Sequence, residues 1–379
     1  MVQISVMTPW RTARAPGRWL GALVASLGLA ACAAQPPGTG SIPPLRNQPV
    51  FDAPQIDLLG MSSEMQAFVD AYVLSPGHKA NRAWSLLYAA LDPYLLAFHY
   101  DPSVTRTARR AFETRRGNCL TFSNMFIAMA RSAGLEAWYE EVQTPPQWNA
   151  VSDTMLVSMH VNAVVRDHNR EYIIDVSRRR QSDTDRRRRI SDGEAAAQFY
   201  NNLGAEALVD GRLAEADAWF RRALETDAGL PYVWSNLGVV FKRNGQTKDA
   251  QQAYETALRI DPRHSVSLNN LYVIYTEAGE LEAAQALRER VEKIRRNNPF
   301  YLDFLAQTAT GEQRYDDAID LAKRAIRLAP REYRFHYTLA RAQQQAGLAS
   351  VALASLERAQ RLAPESAGTL TLDSPSDGF

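Results

Sequence analysis

A cysteine becomes an acyl-transfer nucleophile when a base takes its proton and a third group orients that base. The 379-residue chain holds two cysteines, Cys32 and Cys119, and six histidines. Cys119 follows Arg115-Arg116-Gly117-Asn118 and opens a stretch in which Phe122, Phe126, Met129 and Ala130 recur at helical spacing, before Gly134 stops the pattern. The spacing predicts a thiol in the first turn of a buried helix, just behind a permissive glycine. There the partial positive charge and free amides stabilise a thiolate and are able to hold a developing oxyanion. His160 lies in Met155–Val165, an alternating strand-like run. A polar turn, residues 166–170, leads to a second run, Glu171–Val176. This reads as a β-hairpin. With its centre between Asp167 and His168, residues whose numbers sum to 335 face each other, so His160 stands directly opposite Asp175. A one-residue slip would break that pairing.

The other histidines, His78, His99, His168, His264 and His336, lack such a context and read as structural or solvent-facing. No His/Cys cluster has metal-ligand spacing, and Gly117-Asn118-Cys119 has no P-loop lysine, so neither metal nor cofactor is expected.

Three helical stretches precede the cysteine: one capped by Ser62 or Ser63 and carrying Met65, Phe68, Val69, Tyr72 and Val73; one from Trp84 to about Leu91, interrupted by Pro93; and one from Val104 to Arg116. The order of helix-borne Cys119, strand-borne His160 and strand-borne Asp175, with Arg116-Gly117-Asn118 before the thiol and Val176-Ser177 after the carboxylate, resembles the transglutaminase-like superfamily. The resemblance implies a papain-like α+β fold and acyl transfer through a thioester. Cys119 would be the nucleophile, His160 the general base and acid, and Asp175 the orienter. Asn162 departs from the pattern, standing where an aromatic is common. No upstream oxyanion donor identifies itself, Trp84 and Tyr88 being the aromatic candidates.

The second half repeats at a fixed period. Leu203-Gly204 returns as Leu237-Gly238, with Leu271 a further 34 residues on; Ala216, Ala250 and Ala284 keep the same step, as do Ala318 and Ala352. This resembles the tetratricopeptide repeat, and five units fit: 197–230, 231–264, 265–298, 299–332 and 333–366. Stacked helix pairs of this kind make an all-α solenoid. In that family the groove takes an extended peptide or a partner's tail. The third unit departs at Val291 and Pro299, and the fourth has Gln313 where a glycine is usual.

Cys32 ends an apolar run from Trp19 to Ala31 that follows Arg11, Arg14 and Arg18. The run is too short to cross a bilayer but suits a signal peptide. Leu29-Ala30-Ala31-Cys32 resembles the lipobox of bacterial lipoproteins, which implies cleavage before Cys32 and lipidation of its thiol; a plain secretory signal is the alternative. Ala33 lacks the aspartate of an inner-membrane retention signal, so the expected address is the outer membrane, facing the periplasm. Met7 is an alternative start. Removing residues 1–31 takes the net charge from +1 to −2, which argues against a nucleic-acid partner. Between Arg178 and Arg189, seven arginines and two aspartates are expected to form an exposed interdomain loop.

The expected organisation is a signal peptide (1–31), a Pro/Gly-rich tether (32–50), a transglutaminase-like cysteine domain (51–190), five repeats (191–366) and a disordered tail (367–379). The expected activity is a membrane-anchored cysteine peptidase or amidase acting on a peptide or protein substrate, with a protein partner held in the repeat groove. A protein-glutamine transglutaminase and a non-catalytic scaffold are the alternatives.

Overall fold

A computed structural model of the chain describes residues 2–6, 42–75, 81–151, 154–176, 186–363 and 370–372. Cys32, Ser177 and nearly all of the expected signal peptide and tail lie outside them. Two short helices come first, α1 (Ser63–Tyr72) and α2 (Arg82–Leu91), with the Ser62 hydroxyl accepting from Met65 N and the Asn81 side chain from Trp84 N. Next come β2 (His99–Tyr100), α3 (Ala108–Thr114), β3 (Arg116–Gly117) and α4 (Cys119–Ser132). The helix expected from Val104 is shorter than its pattern: it begins at Ala108 under a Thr107 cap. The preceding residues are bound elsewhere, Val104 O accepting from Asn118 N at 2.8 Å and from Thr121 Oγ1 at 3.1 Å.

The sheet combines β1 (Val2–Val6), β4 (Glu136–Val151), β5 (Thr154–Asp167), β6 (Arg170–Ile174) and β7 (Arg186–Ile190), with path order β1-β5-β4-β7 and β6 also on β5. All pairs are antiparallel. Arg186–Arg189 of the basic segment therefore lie in an edge strand where a loop was expected, and residues 178–185 lie outside the described residues. Its charges are offset by β4: Arg188 meets Glu141 at 3.0 Å, Arg187 meets Glu140 at 4.0 Å, and the Arg189 guanidinium lies 4.5 Å from the Trp138 ring centroid. The register of β4 against β5 shifts between Val142 and Gln147, where Pro145 and Pro146 cannot donate to a ladder.

Ten helices follow, paired as α5 (Asp192–Val209) with α6 (Leu213–Thr226), α7 (Pro231–Arg243) with α8 (Thr247–Ile260), α9 (Ser265–Glu277) with α10 (Leu281–Arg295), α11 (Pro299–Gly311) with α12 (Tyr315–Leu328), and α13 (Tyr333–Gln345) with α14 (Ala349–Leu362). The small residues of the repeat are contact points. A Cβ on Gly238 would lie 2.5 Å from the buried Tyr254 ring, and one on Gly204 would lie 2.6 Å from Phe220. Gln313 takes the left-handed conformation, φ +62°, that Gly211, Gly245, Gly279 and Gly347 take at the matching turns.

One hydrophobic core runs from Met65 and Phe126 through Val161 and Phe199 to Phe241 and Val291, so the first three repeats share it with the mixed α/β region. The last two have small clusters of their own, around Ala318 and Leu339 and around Leu302 and Phe335. The expected tether is also corrected in part. Residues 42–50 lie along the repeats, with Arg46 N donating to Gln246 Oε1 at 2.8 Å, Arg221 donating to Pro43 O at 2.5 Å, and Ile42 and Leu45 packed on the core. Prolines leave a chain with exposed carbonyls and no helix of its own, and the repeats' polar side chains take those carbonyls. Among the described residues no helix is long and apolar enough to cross a membrane.

Candidate functional site

Cys119 opens α4 behind a tightly built turn. Arg115 closes α3 in the left-handed conformation, φ +55°, and β3 then pairs in parallel with β2, setting Tyr100 beside Gly117. Gly117 has no substitute: a Cβ there would lie 2.2 Å from Thr121 Cγ2. Asn118 caps the helix, its Oδ1 accepting from Thr121 N at 2.9 Å, while its Nδ2 donates to Thr105 Oγ1 at 2.9 Å. The thiol is thereby fixed at the helix end, 6% exposed, with α4 packed against β5.

His160 comes from β5. The β5–β6 turn is His168-Asn169, with His168 at φ +55°, so its centre lies one residue beyond the expected position. Paired residues such as Val164 and Ile173 sum to 337, and Asp175 is therefore not directly opposite His160. Moving a hairpin centre by one residue shifts the register by two, which keeps every side chain on its face. Asp175, one residue past β6, reaches His160 on the diagonal, its Oδ2 lying 2.9 Å from Nε2. The Cys119 sulfur is hydrogen-bonded to the same imidazole.

The electrostatics follow from this enclosure. Burial alone would push the Cys119 thiol up. The hydrogen bond and positive charge of His160 are the largest of the effects that outweigh this and bring the thiol down to about 6. Burial would lower His160, but the Asp175 carboxylate and the Cys119 thiolate hold its proton and raise it to about 10. Both shifts, the thiol down and the imidazole up, favour thiolate and imidazolium, the form in which a sulfur attacks and an imidazole carries a proton to deliver.

Two neighbours were not identified from the sequence. Tyr100 is held above its ordinary pKa by burial and by the charges of Cys119 and Asp175, which places its phenol beside the pair. No spacing rule points to it, because the two-residue β2–β3 ladder that positions it is non-local. The aromatic candidates Trp84 and Tyr88 sit instead on the outer face of α2, 59% and 62% exposed. Glu206, on α5, accepts from Thr105 N at 3.0 Å, behind the Asn118 cap, and burial raises its carboxyl to about 7. Asn162 is buried in register with Glu140. His264 is buried at the start of α9, bonded to Ser267 and lowered to about 4 by burial. His168 is exposed beside Asp167, and His336 meets Pro330 O. Among the described residues no group of three His, Cys, Asp or Glu side chains is placed to hold a metal ion.

Comparison with known proteins agrees with this architecture. Residues 78–201 match the transglutaminase-like superfamily, and residues 231–264 and 305–367 match tetratricopeptide repeats. No curated protein matches the chain. Solved structures similar to it include a MamA protein (17% identity, 47% of this chain and 98% of that one, TM-score 0.28) and MamA from Desulfovibrio magneticus RS-1 (17% identity, 48% and 99%, TM-score 0.28). Another is YrrB, described as a TPR protein with an unusual peptide-binding site (19% identity, 45% and 87%, TM-score 0.26). The superfamily match spans Cys119, His160 and Asp175 and ends inside α5, the first helix of the array. Residues 78–201 are a transglutaminase-like core domain, and tetratricopeptide repeats follow it.

Proposed function

We propose that the protein is a thiol acyl-transfer enzyme, a cysteine peptidase or amidase that cleaves a peptide amide through a thioester. The observation that supports it is the convergence of Cys119, His160 and Asp175 from three elements, with the thiol drawn down to about 6 despite its burial. In this reading the Cys119 thiolate attacks the amide carbonyl, and the backbone N–H groups at the α4 start donate to the resulting oxyanion. His160 gives its proton to the departing amine, leaving a thioester and a neutral imidazole. That imidazole takes a proton from water as water attacks the thioester, which releases a carboxylic acid and restores the thiolate–imidazolium pair. Asp175 keeps Nε2 occupied throughout.

Cleavage before Cys32 and lipidation of its thiol would hold the body at the periplasmic face of the outer membrane, and the repeats would recruit the protein that carries the substrate. The test is hydrolysis of a peptide mixture in ¹⁸O-water with labelled primary amine present. Label from water in new carboxyl termini, absent in Cys119→Ala, supports the hydrolase. Incorporation of amine at glutamine instead makes the protein a transglutaminase, and neither product from a folded chain leaves a scaffold.

A further inference from the structure

Strand β5 has two edges. β4 pairs along one of them, from Thr154 to Arg166, and the other is divided. On this second edge β6 takes Ala163–Asp167 and β1 takes Thr154–Ser158. Between them residues 159–162, with His160 among them, have no strand partner on that edge among the described residues. β1 also rests against α5, α7 and α9, the first helices of the first three repeats. A five-residue extended segment is thus held by a ladder on one side and by the repeat array on the other.

The segment seated there, Val2-Gln3-Ile4-Ser5-Val6, carries no charge and is separated from β5 by about 150 residues of chain. It belongs to the stretch whose composition reads as a leader, so its seating reports what the seam accepts. An open strand edge offers a row of N–H and C=O groups to any extended chain. Recognition by such an edge takes affinity from the main chain and selectivity from alternate side chains.

We infer that the seam between the Thr154–Ser158 edge of β5 and the helices α5, α7 and α9 is the docking site for an extended, uncharged stretch of the peptide substrate, lying antiparallel to β5. Its use in catalysis rests on the proposed function; its binding does not. The register also gives the site a direction. Val2 faces Ser158 and Val6 faces Thr154, so the amino end of the seated strand points toward His160. Two further residues at that end of a guest strand would face His160 itself. The docked stretch therefore lies on the carboxyl-terminal side of the reacting amide and departs with the amine fragment.

The test uses the full chain with residues 1–31 retained. In Ile4→Pro/Ser5→Pro, one of the two substituted residues must direct its missing N–H at β5, because successive residues point to opposite edges. Hydrogen exchange of the β5 amides at 154–158 should speed up by about tenfold in this variant. Added acetyl-Val-Gln-Ile-Ser-Val-amide should slow it again, whereas the same peptide N-methylated at Ile and Ser should not. Unchanged protection in α4 and α7 shows that the fold is intact. Exchange at 154–158 that ignores the peptide, or equal protection by the methylated form, overturns the docking site. Alkylation of Cys119 followed in the same samples separates the two ideas: an inert thiol with restored protection defeats the enzyme reading alone.

Discussion

Helix α4 buries Cys119, Thr121, Ser123 and Asn124 among its aromatic and aliphatic side chains, whereas α12 buries Ala318, Ile319, Ala322 and Ala325 and nothing polar. Both are 14-residue helices, but α4 is buried on every side from Cys119 to Ala130, whereas α12 covers a single face. At α4 three buried polar side chains are tied to loops or strands distant in sequence: Asn118 to Thr105, Asn124 to Tyr139 and to Arg106 O, and Thr121 to Val104 O and Arg106 N. Those ties hold a charge-bearing thiol in one place. In α12 small side chains let neighbouring helices approach, and Ala318 and Ala325 return buried 34 residues along as Ala352 and Ala359. The difference is between a region that accepts desolvation of ionisable groups for the sake of position and one that adds length with as little polar burial as possible.

Substitutions at five positions sharpen that contrast. The largest effect is expected from His160→Ala. Without the imidazolium, burial dominates and the thiol rises, so alkylation of Cys119 at pH 7 should fall by about 100-fold while thermal unfolding changes little. Gly238→Ala comes next. Its Cβ would press on Tyr254, a ring with no free space, and should cost about 3 kcal/mol by denaturant unfolding. Gly311→Ala, where a Cβ meets nothing within 4 Å, should be neutral or mildly stabilising.

Glu206 separates a positioning role from a merely structural one. Glu206→Ala leaves the buried Thr105 amide without an acceptor and should cost about 1–2 kcal/mol; Glu206→Gln keeps an acceptor. Burial raises the carboxyl to about 7 in the folded chain, above its ordinary value of 4.5. The folded state therefore binds the extra proton, and stability declines as pH rises from about 4.5 through 7. Glu206→Gln should abolish that slope in pH-dependent melts. If the Ala variant also slows Cys119 alkylation and the Gln variant restores it, the first repeat helix positions the nucleophile through Thr105 and Asn118. Apart from the near-neutral Gly311→Ala, the smallest effect is Gln313→Gly, which relieves a left-handed side-chain residue and should stabilise the fourth repeat by about 0.5–1 kcal/mol in chemical unfolding.

The same contrast explains what could be read in advance. The repeats were legible because their information is local and periodic; even the missing glycine at Gln313 left the turn in place. The placement of Cys119 was legible from Gly117-Asn118 and the apolar face behind it. β4 was not, since Pro145 and Pro146 interrupt its pattern and only the register shift accommodates them. β7 was not, since four arginines read as solvated until Glu136, Glu140 and Glu141 are brought alongside. The hairpin was recognised with its centre one residue early. His160 and Asp175 still meet, because a two-residue register shift preserves the face. Tyr100 and Glu206 depend on contacts between distant segments, which no spacing in one element encodes.

The proposed reaction requires Cys119 and His160 to form a thiolate–imidazolium pair inside the fold. The most direct measurement is the rate of Cys119 alkylation across pH 4–11 in the full chain, read at that residue by mass spectrometry. The reactive form should appear with a midpoint near 6, and in His160→Ala that midpoint should move up past the free-thiol value of about 8.5. A wild-type midpoint near 8.5 that His160→Ala leaves in place would contradict the account.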